Sequence, residues 1–314
     1  MTNSAQAVLL IAGPTASGKS SFALKIAAEL DGVIINADSM QVYKDLRILT
    51  ARPTEADEAR APHKLYGYRD GAKAFSVAAW VEDVAKEITE ARQSRRLPIV
   101  VGGSGLYVKT LMEGIVKIPD VSDSVRQAAR RLYLEQGHNA LYDSLKEKDP
   151  EGAANLKPKD RQRVLRAWEV LVSTGTPLRI WQEKPPRKLL PNSEYFSVLF
   201  VPPREEIYGA CNSRLVTMVG DGALQEVQVL INRALDPKLP VMKALAVAEL
   251  AAHLNGKISL EEAIAIAQQR TRNYAKRQNT WFKNQFRASE TLYKQYSESL
   301  FDEIFPKIRH FLLT

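Results

Sequence analysis

The residues most capable of chemistry stand close to the N-terminus. Gly13-Pro14-Thr15-Ala16-Ser17-Gly18-Lys19-Ser20 matches the spacing G-x-x-x-x-G-K-S, in which each residue type has a mechanical task. The glycines let backbone N–H groups turn inward around phosphate oxygens, Lys19 adds a point charge, and the Ser20 hydroxyl can ligate Mg²⁺. The helix that follows aims its positive end at the same anion. The spacing specifies a bound polyphosphate and leaves open whether it belongs to a nucleotide. Asp38, followed by Ser39, Met40 and Gln41, is the next candidate. A carboxylate there could ligate metal, accept a proton from a substrate, or only cap the following helix. Ser104, in Gly102-Gly103-Ser104-Gly105-Leu106-Tyr107, could hydrogen-bond a phosphate oxygen or a substrate amine. It could equally sit in a turn that needs small residues.

These residues need a scaffold that presents strand ends to one place. Ala7 to Ala12 is a short apolar run of the buried-parallel-strand type, and Ser20 to Leu30 continues with helical periodicity through Phe22, Ile26 and Leu30. Gly32 to Ala37 reads as a second strand, Ser76 to Arg92 as a helix, and Leu97 to Val101 as a third strand. The expected fold is therefore an α/β, doubly wound parallel sheet carrying a phosphate-binding loop. Asp38 falls at the carboxyl end of the second strand, where ligands of open α/β sheets lie. Many P-loop ATPases end a strand in an Asp that helps hold Mg²⁺, whereas Ile99-Val100-Val101 runs into Gly102. Ser197 to Val201, stopped by Pro202-Pro203, is a further strand that could rejoin the sheet.

Between Ile118 and Pro191 the texture changes to helical, Arg- and Lys-rich sequence with no convincing strand. The expected organisation is a core of residues 1–117 and 192–314 with a helical, basic insertion at 118–191. Later helices are expected at Ala244 to Leu254, Leu260 to Arg277 and Phe301 to Leu313.

The 314 residues, 45% hydrophobic and 25% charged, have the composition of a globular protein of about two domains. No apolar run approaches the ~18 residues of a membrane span. No basic stretch precedes the first apolar run, so a cytosolic protein is the expectation. One cysteine, Cys211, and four scattered histidines offer neither a disulfide nor a multi-cysteine metal site. The net charge of +8 favours polyanionic partners. It is concentrated: from Gln268 to Arg287 there are Arg270, Arg272, Lys276, Arg277, Lys283 and Arg287 with no acid, interleaved with Tyr274, Trp281, Phe282 and Phe286. Cations can neutralise backbone phosphates while aromatics stack on unpaired bases, although Trp281 and Phe282 could equally be core. In Asp160 to Glu169, Val164, Ala167 and Trp168 form an apolar stripe, with Arg163 and Arg166 on another face that is either solvated or in contact with nucleic acid.

Five segments in order, Gly13 to Ser20, Ala37 to Tyr43, Val101 to Tyr107, Asp160 to Arg163 and Tyr274 to Phe282, resemble the signature of tRNA dimethylallyltransferases, over about residues 8–286. The resemblance implies transfer of a dimethylallyl group from its diphosphate to the exocyclic N6 amine of the adenosine just 3′ of the anticodon. It implies Mg²⁺ dependence, with Ser20 as the metal ligand, and a loop of Gly13, Pro14, Thr15, Ala16, Ser17, Gly18, Lys19 and Ser20 that holds dimethylallyl diphosphate rather than ATP. By position, Asp38 resembles the family's general base, Lys19 and Arg214 its contacts to the diphosphate, and Ser104, where Thr is usual, its contact to the reacting adenine. Asp38, Ser39, Met40 and Gln41 resemble tRNA-contact positions, as do Ser104 and Arg126. So do Gln162, Arg163, Val164, Leu165 and Arg166, together with Lys276, Arg277, Gln278, Thr280, Trp281 and Lys283. A cytoplasmic monomer partnered by a tRNA anticodon stem-loop, with no membrane, is implied. Lys64, Ala210, Val216 and Ala246 depart from the family pattern. A P-loop kinase of small molecules or nucleotides, and an RNA-binding protein with a vestigial loop, are the rival readings.

Overall fold

The computed structural model describes residues 6–313, apart from the side chain of His138. The extreme ends of the expected core, residues 1–5 and 314, lie outside the described residues. The chain divides into two compact units, one of residues up to Met112 and from Leu189 onward, the other Glu113–Lys188.

Among the described residues the larger unit is built on six parallel strands: β1 (Ala7–Ala12), β2 (Gly32–Asn36), β3 (His63–Lys64), β4 (Leu97–Gly102), β5 (Glu194–Phe200) and β6 (Glu290–Leu292), in the order β3-β2-β4-β1-β5-β6. Every residue of β1, β2 and β4 is buried, which is why they read as unbroken apolar runs rather than alternating ones. The Ser197 to Val201 strand does rejoin the sheet, pairing parallel with β1 from Glu194 on. Two strands escaped the sequence reading, β3 and β6. At two and three residues they are too short for any period to register.

Helices cover the sheet: α1 (Lys19–Glu29), α2 (Glu55–Arg60), α3 (Val77–Gln93) and α4 (Gly105–Glu113) follow β1 to β4. In the second unit come α5 (Asp123–Lys148), α6 (Pro150–Ala154), α7 (Arg161–Thr174) and α8 (Leu178–Gln182). The larger unit resumes after β5 with α9 (Arg204–Gly220), α10 (Ala223–Asn232), α11 (Val247–Leu254), α12 (Leu260–Gln285) and α13 (Glu298–Leu313). α12 runs eight residues past Arg277, because Gln278 and Phe282 continue the buried stripe of Ala263, Ala267, Thr271 and Ala275. α11 begins three residues later than expected, since Ala246 takes a left-handed backbone (φ 69°) at its N-cap and Pro240–Lys243 forms a separate 3₁₀ turn.

Sheet register places the site. Ala12 pairs with Gly102 and Asn36 with Val101, so the chain leaves β1, β2 and β4 at one edge. The Ala37 amide donates to Val101 O (2.7 Å) and the Ser104 amide to Ala37 O (3.3 Å), which extends that alignment beyond the strands. α1 is anchored by Phe22, fully buried edge-on to Phe200 (5.4 Å) and Phe301 (6.0 Å); its truncation to Ala would cost about 3–5 kcal/mol. The second unit packs Trp168, Val164, Leu141, Leu145 and Ala129 into its own core. None of its residues joins a named strand, though Ile115 and Arg187 form an isolated antiparallel bridge. No described helix is long and apolar enough to cross a membrane.

Candidate active site

The loop between β1 and α1 has the conformation its glycines predict. Gly18 has φ 85°, in the left-handed region, and a Cβ there would lie 2.6 Å from that of Tyr296, so no larger residue fits. Gly13, Pro14 and Ser17 are buried, and Ser17 Oγ has no hydrogen-bond partner among the described residues. A buried hydroxyl without a partner is costly, and inside a phosphate loop it is an unused donor for an anion. Ser20 is exposed in the first turn of α1. Lys19 Nζ donates to Pro14 O (3.2 Å), folding its ammonium back over the loop. Burial lowers its pKa to about 8; the Asp38 charge works against that fall and Arg214 adds to it. Arg214, from α9, donates to Thr15 Oγ1, and burial lowers its pKa too, while Asp38 supports its cationic form. The loop thus brings Lys19 and Arg214 together under the influence of one carboxylate.

Asp38 is held by its neighbours in two ways. Asn36, fully buried at the end of β2, receives the Asp38 amide at Oδ1 (2.8 Å) and donates from Nδ2 to Asp38 O and Leu65 O (both 3.0 Å). Asp38 Oδ1 accepts the Met40 amide (2.9 Å), which closes a local turn; it caps no helix, since the next one, α2, begins at Glu55 with Thr54 as its cap. Oδ2 has no hydrogen bond among the described residues. Tyr66, Tyr107 and Tyr274 have hydroxyls pushed upward chiefly by burial, with the Asp38 charge adding to it. Three weakly acidic phenols thus lie within electrostatic reach of one half-buried carboxylate. Ser104 Oγ accepts the Ser39 amide (3.0 Å) and donates to Ser39 Oγ (3.3 Å), which ties the β4 loop to the Asp38 turn.

α12 crosses these loops. Gln278, only 6% exposed, accepts the Thr15 amide at Oε1 and donates from Nε2 to Gly103 O, both at 2.9 Å. Gly103 and Gly105 are small for that reason: a Cβ on the first would strike the Gln278 amide and on the second the Trp281 ring. Phe282 is core, and Trp281 is half-buried against Gly105 and edge-on to Phe282 (5.3 Å).

Of the expected RNA contacts, Lys276, Arg277, Thr280 and Lys283 are exposed on α12, and Arg126, Gln162, Arg163 and Arg166 are exposed in the second unit. Arg126 and Arg166 both act on Glu169, whose carboxyl is raised by burial and drawn back by their charge. Four expectations need correction. Val164 is fully buried among Trp168 and its neighbours, and Leu165 packs partly against that core, so neither apolar side chain is a polyanion contact. Gln278 spends both ends of its amide on the two loops, and the Gln41 amide donates to Thr50 O (2.7 Å) and Ala51 O (3.0 Å). Periodic helices spread contact motifs over all faces, and only packing decides which face is outside. Among departures from the family pattern, Lys64 pairs with Glu87 (3.5 Å) and Val216 lies 54% exposed.

Sequence reasoning missed Asn36 and Tyr66. A signal for Asn36 existed, since a polar residue inside an otherwise apolar buried strand must find partners. Tyr66 carried none.

Loop, carboxylate and paired cations define a P-loop protein in which Lys19 and Arg214 gather beside Asp38, under the basic, aromatic α12. Residues 41–285 match the IPP transferase family model. The chain is 50% identical over 282 residues to the tRNA dimethylallyltransferase of Rhodospirillum centenum, covering 90% of each chain. It is 48% identical to that of Paramagnetospirillum magneticum, covering 100% of this chain and 99% of the relative. Its fold is similar to the tRNA isopentenylpyrophosphate transferase of Bacillus halodurans (TM-score 0.70, 31% identity, 98% and 97% of the two chains). It is also similar to a eukaryotic dimethylallyltransferase captured acting on tRNA (TM-score 0.77, 26% identity, 91% and 74%). The chain therefore belongs to the IPP transferase family, with its P-loop NTPase-like fold.

Proposed function

We infer that this chain is an enzyme that transfers a dimethylallyl group to tRNA, and propose dimethylallyl diphosphate as the donor and the exocyclic N6 amine of the adenosine 3′ of the anticodon as the acceptor. The observation that carries the reading is the meeting of Lys19, Arg214 and Asp38 at one strand edge, with the loop amides on one side and a free carboxylate oxygen on the other. As the allylic C–O bond breaks, negative charge grows on the departing diphosphate, and Lys19, Arg214 and the loop N–H groups stabilise it electrostatically. The amine nitrogen forms the new bond to the allylic carbon and sheds a proton, which Asp38 Oδ2 accepts. Ser104, fixed by Ser39, is set to hydrogen-bond the adenine beside that nitrogen. The acceptor base must leave its stack to arrive there, at a cost of a few kcal/mol that the cations of α12 and of the second unit offset by holding the stem-loop.

The residues fit Mg²⁺ rather than a softer metal. No group of three His, Cys, Asp or Glu able to hold a metal occurs among the described residues, while the Ser20 hydroxyl is the single hard oxygen donor such a cation takes when phosphate and water complete its shell. Bound there, Mg²⁺ would add positive charge against the leaving diphosphate. We further propose that the protein works as a cytoplasmic monomer. The test is incubation with labelled dimethylallyl diphosphate, Mg²⁺ and unmodified tRNA. Label in RNA supports transfer; ATP turnover without label in RNA supports a kinase; RNA retention with neither supports a binding protein.

A further inference from the structure

On the flank of α12 away from Asp38 lies a cavity of about 340 Å³, bounded by the end of β5, the first turn of α9 and Tyr293. Helix geometry separates the two flanks. At about 100° per residue, with Gln278 directed at the loops, Tyr274, Arg277 and Trp281 fall on one side, and Lys276, Asn279 and Lys283 on the other. Tyr274 is under the influence of Asp38 and Trp281 lies on Gly105, whereas Lys276, Asn279 and Lys283 line the cavity.

The cavity has three kinds of wall. Val201, Pro202 and Ile207 make a buried apolar floor, and two rings stand over it: Tyr208, and Tyr293, which is 69% exposed although large and aromatic. Arg204, Lys276 and Lys283 are exposed cations at its rim, and the Arg204 guanidinium lies 5.7 Å from the Tyr208 ring centre. Asn279 supplies the third element. Its Oδ1 is shut off from solvent yet has no hydrogen-bond partner among the described residues. Sealed in this way, Oδ1 leaves the Nδ2 end of the carboxamide, with its two donors, as the part of Asn279 that an acceptor on a base edge can reach from the cavity. A flat apolar slot with ring walls, one amide inside and phosphate-binding cations outside is how single-stranded nucleic acid is held. The volume sits at the small end of ligand pockets, about 300–1,000 Å³, suited to one nucleoside.

We propose that this cavity is a second nucleobase pocket, taking an unpaired base of the same RNA whose acceptor adenosine lies at Asp38, so that the RNA strand straddles α12. The inference rests on the tRNA reading above. A free nucleotide shares this chemistry, and Ala16 of the phosphate loop packs in the cluster of Ile207 and Tyr208, so the experiment separates the two sources.

The experiment measures binding, not transfer, on the full chain. Anticodon stem-loops carrying one abasic substitution at a time through the loop are titrated into the wild type, Asn279→Leu and Tyr208→Ala. At one loop position other than the acceptor, the abasic RNA is expected to bind wild type about tenfold more weakly. At that position neither variant should lose anything further, whereas each should weaken the intact RNA by a similar factor. Losses that multiply at every loop position would overturn the proposal. ATP or AMP titrated into RNA-free protein, binding saturably to the wild type but not to Asn279→Leu while no loop position couples, would assign the pocket to a free nucleotide and overturn the RNA source. Because the coupling is read without donor, a protein that failed to prenylate RNA could still pass or fail this test.

Discussion

Replacing Gln278 with Leu separates a loop-bracing role from an RNA-contacting one. The substitution keeps the bulk of the side chain and removes both 2.9 Å hydrogen bonds, stranding the Thr15 amide and the Gly103 carbonyl where α12 covers them. Each buried group left unpaired costs about 1–3 kcal/mol. The loops will relax to recover part of it, so about 3 kcal/mol in total is expected, near a hundredfold in an equilibrium or rate. The strain falls on the loop that must cradle diphosphate and on the turn that carries Ser104, not on the exposed flanks of α12. The donor kcat/KM at saturating tRNA should therefore drop by about tenfold to a hundredfold, while the tRNA Kd stays within about threefold. Stopped-flow or filter-binding titrations, with a thermal melt to confirm folding, give both numbers. A tRNA Kd that rises by the full factor while donor kinetics stay at the wild-type level would refute the brace and return Gln278 to the RNA surface.

Lys19 should give the donor a pH dependence. Because burial lowers it to about 8, the cation is present below that pH and lost above it, so donor affinity should fall by about tenfold per pH unit above 8, and a flat Kd between about pH 7 and 10 would contradict it. Folding runs the other way: the unfolded chain keeps the proton up to about 10.5, so the Lys19 contribution to stability should improve as pH rises from 8 to that value, readable in urea midpoints. Asp38→Asn retains an oxygen for the Met40 amide but cannot take a proton, and kcat should fall by about a hundredfold with tRNA Kd unchanged; wild-type turnover would remove Asp38 from the mechanism. Replacing Lys276 and Arg277 together with Ala should reduce the slope of log K against log salt by about one unit per cation, and an unaltered slope would mean that both face only solvent. Gly18→Ala places a methyl against Tyr296 at a left-handed φ, and should lower donor affinity and melting temperature together, as calorimetry and differential scanning would report.

The amino-acid sequence by itself determined the local devices. Buried parallel strands announce themselves as unbroken apolar runs, and a glycine loop before a helix dictates its own backbone, so β1, β2, β4 and the phosphate loop were legible along with Asp38 at a strand end. Charge density marked α12 as basic and aromatic. What tertiary structure alone decided is which side of each element faces what. Gln278 and Lys276 stand two positions apart in one basic run, yet the first is sealed between two loops and the second is exposed beside a cavity. Val164 and Arg163 are adjacent, one fully buried and one solvated. Thr15, Arg214 and Gln278 meet although they come from three distant stretches, because hydrogen-bond partners are fixed by how strands and helices stack. Spacing along a chain sets period and therefore element; the partner of a polar atom depends on the whole packed arrangement, which no local spacing encodes.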